Sequence, residues 1–257
     1  MAFSKAQSKV FKQQYRSLLK QSKTVPRSVW ICGVFPMDVN SVLMLTQKYN
    51  EGEKLTEYCQ RLASYLKNKD IETHLVCFGE EDRDESIGNL NLHEFSFKMH
   101  GDNYFSWSML LQARFMEKIE EIIKKEDIEI IHANDWPTLP ASLTASKLHD
   151  IPFVVTYHSI EEERGMDNPH SHQISDLEWE GIEEASFIVV HRDKTAEAME
   201  VYDLPEKKVK LLAGEDWEKD VLDLYTRSVE VKTNLKNMEN GAKENENFDA
   251  YVGVSSQ

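Results

Sequence analysis

Short apolar segments alternate with longer amphipathic ones from Ser28 to about residue 229, and this alternation constrains the fold more than any other feature. Strands and helices that take turns along a chain predict a parallel sheet with helices packed on it. The runs F-V-V-T-Y and F-I-V-V-H are apolar almost throughout, which is typical of strands covered on both faces. We therefore predict an α/β fold with a single Rossmann-like, doubly wound parallel sheet.

The pattern places strands at Val29–Phe35, Thr73–Phe78, Leu92–Phe97, Glu129–Ala133, Phe153–His158, Phe187–His191 and Val209–Leu212. It places helices at Lys54–Asn68, Trp107–Lys125, Leu139–His149, Asp176–Glu184, Lys194–Tyr202 and Trp217–Val229. A length of 257 residues suits one large domain. We divide the chain into a basic amphipathic N-terminal extension (1–27), the sheet domain (28–212), a C-terminal helix (213–229) and a polar tail (230–257) that we expect to be mostly disordered.

The charge distribution excludes nucleic acid as the principal partner, because the chain has a net charge of −15. The first 37 residues are the exception, with seven basic residues and no acidic one. Residues 3–22 have the spacing of a basic amphipathic helix, which could pack on the domain, contact a membrane surface or belong to a cleaved transit peptide.

Cysteine content and hydropathy indicate a soluble, cytoplasmic protein. The three cysteines, Cys32, Cys59 and Cys77, lie in apolar or amphipathic stretches and form no C-x-x-C pair, so we expect reduced packing residues and no metal site. No apolar run approaches the roughly 18 residues that a membrane span requires.

Polar side chains follow two of the predicted strands. His132, Asn134 and Asp135 come at the end of one strand, and His158 closes the next. The carboxyl ends of parallel strands meet at one edge of a sheet, where ligands bind. Two alternatives remain: Asp135 could cap the helix that starts near Pro137, and His158 could be a packed or surface histidine.

Three segments resemble a known family. The segments I-I-H-A-N-D-W-P, V-T-Y-H-S-I-E-E-E-R-G and H-Q-I-S-D-L-E-W-E are similar to the H-A-H-D-W, T-x-H with E-x-G-R-x-G, and D-x-E-W-W segments of retaining GT-B glycosyltransferases of the glycogen and starch synthase type. The resemblance covers about residues 28–225 and is specific between 130 and 212. It implies the N-terminal, acceptor-side domain of a GT-B enzyme, with a C-terminal helix that crosses back onto it.

The resemblance also implies roles for individual residues. His158 would contact the donor sugar, and Asp135 would orient the acceptor or the sugar, so these two are the candidate catalytic residues. The candidate substrate-binding residues are His132, Asn134, Trp136, Glu161, Arg164 and Gly165. Asn134 departs from the second histidine of the family motif, and Glu163 and Glu180 replace a small residue and a tryptophan.

The acidic loop and the last motif each have a second interpretation. Residues 161–165 could be a solvated charged loop, although the Glu161 carboxylate suits hydrogen bonds from vicinal sugar hydroxyls. Trp179 of the D-x-E-W segment fits better as a residue of an amphipathic core helix.

The donor side of such an enzyme is missing from the pattern. The first strand-to-helix connection, which we place from Met37 to Glu53, contains only Gly52 where the family has a Gly-Gly turn beside the donor diphosphate. After V-Y-D-L-P-E-K-K-V-K-L-L the chain continues as A-G-E-D-W-E, as though a donor domain had been excised near Ala213.

Two functions of different classes follow from these patterns. The first is the acceptor half of a glycosyltransferase that works with a separate donor-binding chain on a saccharide acceptor, with a nucleotide sugar such as UDP- or ADP-glucose as donor substrate and no cofactor. The second is a non-catalytic glucan-binding or regulatory protein derived from that domain. Enzyme status stays open between them, and an unrelated nucleotide binder is disfavoured because the chain has no G-x-G-x-x-G or P-loop.

Overall fold

The computed structural model of the protein describes residues 39–252 except for 89, 192, 200–207 and 213. The predicted strand Val29–Phe35, the N-terminal extension and its proposed membrane contact through residues 3–22 lie outside these residues.

One eight-stranded sheet organises the described chain, in the order β3-β4-β2-β1-β5-β6-β7-β8. Its strands are β1 (Ser41–Lys48), β2 (Glu72–Phe78), β3 (Arg83–Ile87), β4 (Leu90–Phe95), β5 (Ile130–Asn134), β6 (Phe153–Tyr157), β7 (Phe187–Val190) and β8 (Val209–Leu211). All neighbouring pairs are parallel except β3 and β4. The predicted doubly wound α/β fold is therefore confirmed.

Seven helices accompany this sheet in the described part of the chain. They are α1 (Lys54–Lys67), α2 (Tyr104–Ile123), α3 (Leu139–His149), α4 (Glu161–Arg164), α5 (Ser171–Glu184), α6 (Asp193–Met199) and α7 (Trp217–Val252), with a short 3-10 turn at Trp136–Thr138. None of these described helices combines the length and the apolar character that a bilayer span requires.

Strand β1 corrects the sequence analysis, which placed Ser41–Lys48 inside a strand-to-helix connection. This strand lies in the centre of the sheet between β2 and β5. Its residues 41–46 are buried because its two neighbours and the helices on both faces enclose it. The true connection runs from Tyr49 to Glu53 and still contains Gly52 alone, at φ +80°.

Two further elements differ from the prediction. The edge strand β3 was not predicted, because its sequence R-D-E-S-I is charged and its residues are mostly exposed. Helix α7 does not end near residue 229 but continues to Val252, through residues that we assigned to a disordered tail. The segment is rich in Lys, Glu and Asn, and its lysines and glutamates are good helix formers in spite of their polarity.

The sheet separates two apolar cores, because successive side chains of a strand point to opposite faces. Leu43 and Leu45 of β1 pack with the helices α2, α3 and α5 on one face. Val42 and Met44 pack with α1 and α7 on the other. The predicted packing role of Cys59 and Cys77 is confirmed, since both are buried free thiols.

Candidate functional site

A cleft of about 330 Å³ opens at the carboxyl edge of the sheet. It lies beside the ends of β1 and β5, where the strand order reverses direction, and this is where open α/β sheets bind their ligands. Its lining residues are Gln47, Leu55, Tyr104, Asn134, Asp135, Trp136, Pro137, Glu161, Arg164, Asn168 and Ile174. Five of the predicted site residues belong to this set: Asn134, Asp135, Trp136, Glu161 and Arg164.

Asp135 follows β5 with backbone angles of φ 58° and ψ 168°. This region is essentially restricted to glycine, and an aspartate held there stores strain of order 1–3 kcal/mol. The side chain makes no capping hydrogen bond to the 3-10 turn that follows. Instead, Asp135 Oδ1 accepts a hydrogen bond from the backbone N–H of His158 at 2.8 Å. The Asp135 carboxylate therefore does not cap the turn. It connects the ends of β5 and β6.

His158 lies just beyond β6, beside His191 at the end of β7. Their rings stack with centroids 5.0 Å apart, and the Tyr58 ring meets both edge-on. Trp217 at the start of α7 stacks on Tyr58 at 4.7 Å. Burial and the neighbouring His158 lower the pKa of His191 to about 4, and its buried Nε2 has no hydrogen-bond partner. An aromatic cluster thus fixes the orientation of the His158 ring.

His132 lies beneath this cluster and is fully buried, so it is not among the residues that line the cleft. Its Nδ1 is 2.5 Å from Tyr225 Oη, and its Nε2 is 2.7 Å from Thr156 Oγ1. Thr156 Oγ1 is also 3.1 Å from Tyr58 Oη. Burial lowers the pKa of His132 to about 3, so the ring is neutral at pH 7. His132 links β5 and β6 to α1 and α7 from inside the core.

Arg164 forms a compact ionic group with Glu161 and Glu178. Its guanidinium contacts Glu161 Oε2 at 2.8 Å and Glu178 Oε1 at 2.9 Å. Ser171 Oγ donates to the other oxygen of Glu161, and the Glu161 backbone N–H donates to Glu178 Oε2. Burial raises the pKa of the Glu178 carboxyl to about 7. Both oxygens of Glu161 are thus engaged within the protein, and this residue positions Arg164 at the cleft.

Gly165, the remaining predicted substrate-binding residue, ends helix α4 in a left-handed conformation at φ 95°. It is not among the residues that line the cleft. Its position is explained by the chain reversal, because a side chain is strained at this φ. Glu178 is fully buried, whereas Trp179 is only partly buried, so the glutamate is the interior member of the D-L-E-W segment.

Two amide side chains at the cleft each have one polar atom hydrogen-bonded within the protein. Asn134 Nδ2 donates to the Leu45 carbonyl at 2.9 Å, which leaves the buried Oδ1 without a hydrogen-bond partner. The Tyr104 hydroxyl donates to Gln47 Oε1 at 2.5 Å, and the buried Gln47 Nε2 has no partner. One acceptor and one donor of these lining residues are therefore buried without a hydrogen-bond partner, and the half-exposed Tyr104 ring lies at the same cleft.

Trp136 contributes to an aromatic wall beneath Tyr104. Its ring stacks on Phe105 at 5.9 Å and meets Tyr104 edge-on at 5.5 Å, and Phe105 stacks in turn on His170. Only 5% of Trp136 is exposed, so its main contribution is to support Tyr104 and the 3-10 turn.

Sequence reasoning missed three residues of this region: Gln47, Tyr104 and His191. Gln47 could not be assigned because β1 was not recognised. His191 carries the same signal as His158, since it directly follows an apolar strand. Tyr104 begins helix α2, and no strand-end pattern marks it.

Comparison with known proteins identifies the relatives of this chain. The family model described as Glycosyltransferase Family 4 matches residues 55–213. An uncharacterized glycosyltransferase from Methanocaldococcus jannaschii is 26% identical over 205 residues, which are 77% of this chain and 51% of that protein. The chain therefore spans about half the length of this curated relative.

Solved structures share the fold. A sucrose-phosphate synthase from Thermosynechococcus elongatus superposes with a TM-score of 0.58 at 12% identity, over 67% of this chain and 47% of the synthase chain. A shorter chain of that synthase superposes with a TM-score of 0.54, also at 12% identity, over 75% of this chain and 99% of the shorter one. The described sheet and helices thus form a domain similar to those of GT-B glycosyltransferases.

Proposed function

The chain belongs to glycosyltransferase family 4, and from this premise we propose that it is the acceptor-side half of a glycosyltransferase related to the glycogen and starch synthases. The reaction is transfer of a hexosyl group from a nucleotide sugar, such as UDP- or ADP-glucose, to a saccharide hydroxyl with retention of configuration. A GT-B donor domain on a separate chain supplies the nucleotide-sugar site. We further propose that it acts in the cytoplasm, in keeping with its sparse, reduced cysteines.

The hydrogen bond between Asp135 Oδ1 and the His158 backbone N–H is the observation that carries this proposal. It joins the two candidate catalytic residues at the carboxyl ends of adjacent strands. The glycine-like backbone of Asp135 supports a functional reason for the carboxylate, because the fold alone favours glycine there. The stacked His191 ring and the edge-on Tyr58 ring hold the imidazole in one orientation, as positioning catalysis requires.

Retaining transfer through an oxocarbenium-like state does not require the acceptor-side domain to form a covalent bond with the sugar. The departing donor phosphate acts as the base for the acceptor hydroxyl, and protein groups supply orientation and electrostatic stabilisation. In our proposal His158 contacts the donor sugar, and the Asp135 carboxylate orients a hydroxyl of the acceptor or of the transferred sugar. Arg164, held by Glu161 and Glu178, sets the shape of the cleft on the other side.

The two fixed amides support a hydroxyl-bearing acceptor. A sugar hydroxyl both donates and accepts, so a small rotation that exposes Asn134 Oδ1 or Gln47 Nε2 to the cleft would give it a partner. Tyr104 offers a ring face against which a sugar ring can pack. Asp135 and Glu161 outnumber Arg164 among the charged lining residues, so the cleft favours a neutral saccharide over a phosphorylated one.

The turn between β1 and α1 favours the second candidate, a non-catalytic saccharide-binding protein. Besides Gly52 it contains Glu51 and Glu53, and carboxylates near a donor diphosphate would repel it. This function retains the acceptor cleft and needs no donor partner.

A transfer assay on the assembled protein separates the two candidates. The tagged full chain is purified with whatever chains accompany it from its own cells, and transfer from labelled UDP-glucose or ADP-glucose to added glucan is measured. We expect transfer with the wild-type chain, loss of it with His158→Ala, and unchanged transfer with the control His100→Ala, which alters an exposed histidine.

Two results would contradict the proposal in different ways. Transfer that survives His158→Ala would remove this residue from the reaction. Binding of maltooligosaccharide by the purified chain without transfer by any preparation would establish the saccharide-binding alternative.

A further inference from the structure

A second polar cluster lies at the amino edge of the sheet, opposite the cleft. Glu72 begins β2, His74 follows on the same strand, and Glu126 lies in the turn between α2 and β5. One nitrogen of His74 and one carboxylate oxygen from each glutamate lie within 4.8 Å of one another. No residue of this cluster lines the cleft.

His74 is unusual in this cluster because its ring is buried, with only 3% of the residue exposed. Its Nε2 is buried and has no hydrogen-bond partner, yet it lies 3.6 Å from Glu72 Oε1. An unpaired polar atom in a buried side chain usually costs 1–3 kcal/mol, so it calls for a partner. The two carboxylates beside it cannot donate a hydrogen bond when they are ionised.

The other nitrogen of His74 belongs to a hydrogen-bonded chain that reaches Asp84. His74 Nδ1 is 3.1 Å from His93 Nε2, and His93 Nδ1 is 2.8 Å from Asp84 Oδ1. The Asp84 carboxylate only accepts, so His93 Nδ1 carries a proton and donates it. In neutral rings His93 Nε2 then accepts from His74 Nδ1, and His74 Nε2 is left with a lone pair directed at the glutamates.

We propose that Glu72, His74 and Glu126 bind a divalent transition-metal ion, with zinc the best match. A lone pair that faces two carboxylates is the donor set that a cation needs, and one imidazole with two carboxylates suits zinc. The chain from His74 through His93 to Asp84 is the outer support that metal-binding histidines usually have. Burial also lowers the pKa of His74, although Glu72 opposes this, which favours the neutral ligand form.

The geometry requires only small movements. Ligands around a tetrahedral zinc ion with bonds of about 2.0–2.1 Å are separated by about 3.3 Å, so atoms now within 4.8 Å must approach by about 1.5 Å at most. Glu72 is half-exposed and can rotate to do so, giving up the hydrogen bond that its Oε1 accepts from Asn91 Nδ2, and a water completes the coordination. The ion would connect the start of β2 to the turn before β5, which makes it a structural site independent of the proposed transfer reaction.

The test is calorimetric titration of zinc chloride into the full-length chain after treatment with a chelator. We expect one ion per chain with a dissociation constant in the micromolar range or tighter. Glu126→Gln removes a ligand from a partly exposed position and should weaken binding about 100-fold, and Asp84→Asn, which touches no ion, should weaken it about tenfold through the histidine chain. Circular dichroism confirms that the variants fold.

The control is His149→Gln, because His149 also lies beside a carboxylate, that of Glu120, but belongs to no such three-ligand cluster within the described part of the chain. Its zinc affinity should equal that of the wild type. The proposal is overturned if the wild-type chain binds no zinc at micromolar concentrations. It is equally overturned if Glu126→Gln binds zinc as tightly as the wild type does.

Discussion

The two edges of the sheet use histidine in opposite ways. At the carboxyl edge His132, His158 and His191 lie among aromatic rings and hydroxyl groups, and burial lowers the pKa of His132 and His191. At the amino edge His74 and His93 contact Glu72 and Asp84. A buried imidazole packed among rings is held neutral and in one orientation, whereas a buried imidazole that faces carboxylates can present its lone pair to a metal ion. None of the three histidines at the carboxyl edge lines the cleft, so the surroundings of the ring separate a packed aromatic cluster from a cation site.

The largest effect expected at the carboxyl edge comes from Asp135→Asn. Asparagine tolerates positive φ and keeps the size of the side chain, but it loses the charge. Transfer by the assembled complex should fall about 100-fold, because a misplaced or weakened positioning group costs about that much. Glu121→Gln, an exposed carboxylate on α2, is the control. Equal loss in both variants would mean that general charge, and not the Asp135 position, controls transfer.

Gly181→Ala tests how tightly helix α5 packs against β6 and α3. An added Cβ would lie 2.6 Å from Tyr157 Oη and 2.8 Å from Leu139 Cδ2, so the free energy of unfolding should fall by about 1–3 kcal/mol in urea denaturation. Gly88→Ala has open space but a φ of +59°, and should cost about 1 kcal/mol from the backbone alone. A cost at Gly181 no larger than at Gly88 would show a loosely packed helix α5.

The pH dependence of stability tests the neutral state of His132. Its folded pKa of about 3 lies below the ordinary imidazole value, so the unfolded chain binds more protons between these values and the folded state loses stability as pH falls below about 6.5. The slope approaches about 1.4 kcal/mol per pH unit. The comparison is between the wild type and His132→Gln, which should lack the contribution of His132 but keep that of His191, whose pKa is also lowered.

Glu178 contributes with the opposite sign. Its folded pKa of about 7 lies above the ordinary carboxyl value, so its contribution is present below about pH 4.5 and is lost as pH rises toward 7. The difference between wild type and His132→Gln at each pH cancels this contribution. Parallel stability curves for the two proteins would show that His132 is protonated in the fold.

The smallest expected effect concerns Tyr104, against whose ring we propose that a sugar packs. Tyr104→Ala should weaken maltooligosaccharide binding by about tenfold, because an exposed ring at a binding site contributes on the order of 1 kcal/mol. The matched control is Tyr65→Ala, near the C-terminal end of α1 and not among the residues that line the cleft. Calorimetry on the purified chain gives both affinities, and an unchanged affinity for Tyr104→Ala would move the acceptor away from this ring.

The sequence pattern was sufficient to predict the strands that are buried on both faces, because such strands are mostly apolar. The strands β5, β6 and β7 are mostly apolar and buried along their whole length, and the polar residues after β5 and β6, Asp135 and His158, lie at the predicted edge. Strand β1 was missed because its apolar run, V-L-M-L, is shorter than the segment Val29–Phe35 that precedes it and is followed by polar residues. The loss of β1 also concealed Gln47.

Roles that depend on distant partners could not be predicted. Both oxygens of Glu161 are occupied only because α5 brings Ser171 beside α4 and sets Arg164 between Glu161 and Glu178. The sequence therefore predicted that the Glu161 carboxylate binds sugar hydroxyls, whereas in the structure it forms an ion pair with Arg164. The cluster of Glu72, His74 and Glu126 at the amino edge also could not be predicted from sequence spacing. Glu126 is far along the chain from the other two, and only the sheet brings them together.

The backbone of Asp135 shows what its side chain must contribute to the fold. At φ 58° and ψ 168° glycine would relieve strain, so the carboxylate has to offset that cost. The hydrogen bond that Oδ1 accepts from the His158 backbone N–H stabilises the fold in this way, because it ties the end of β5 to the end of β6. Replacement of Asp135 by glycine would therefore relax one peptide and release another, and the two strand ends would become free to move apart.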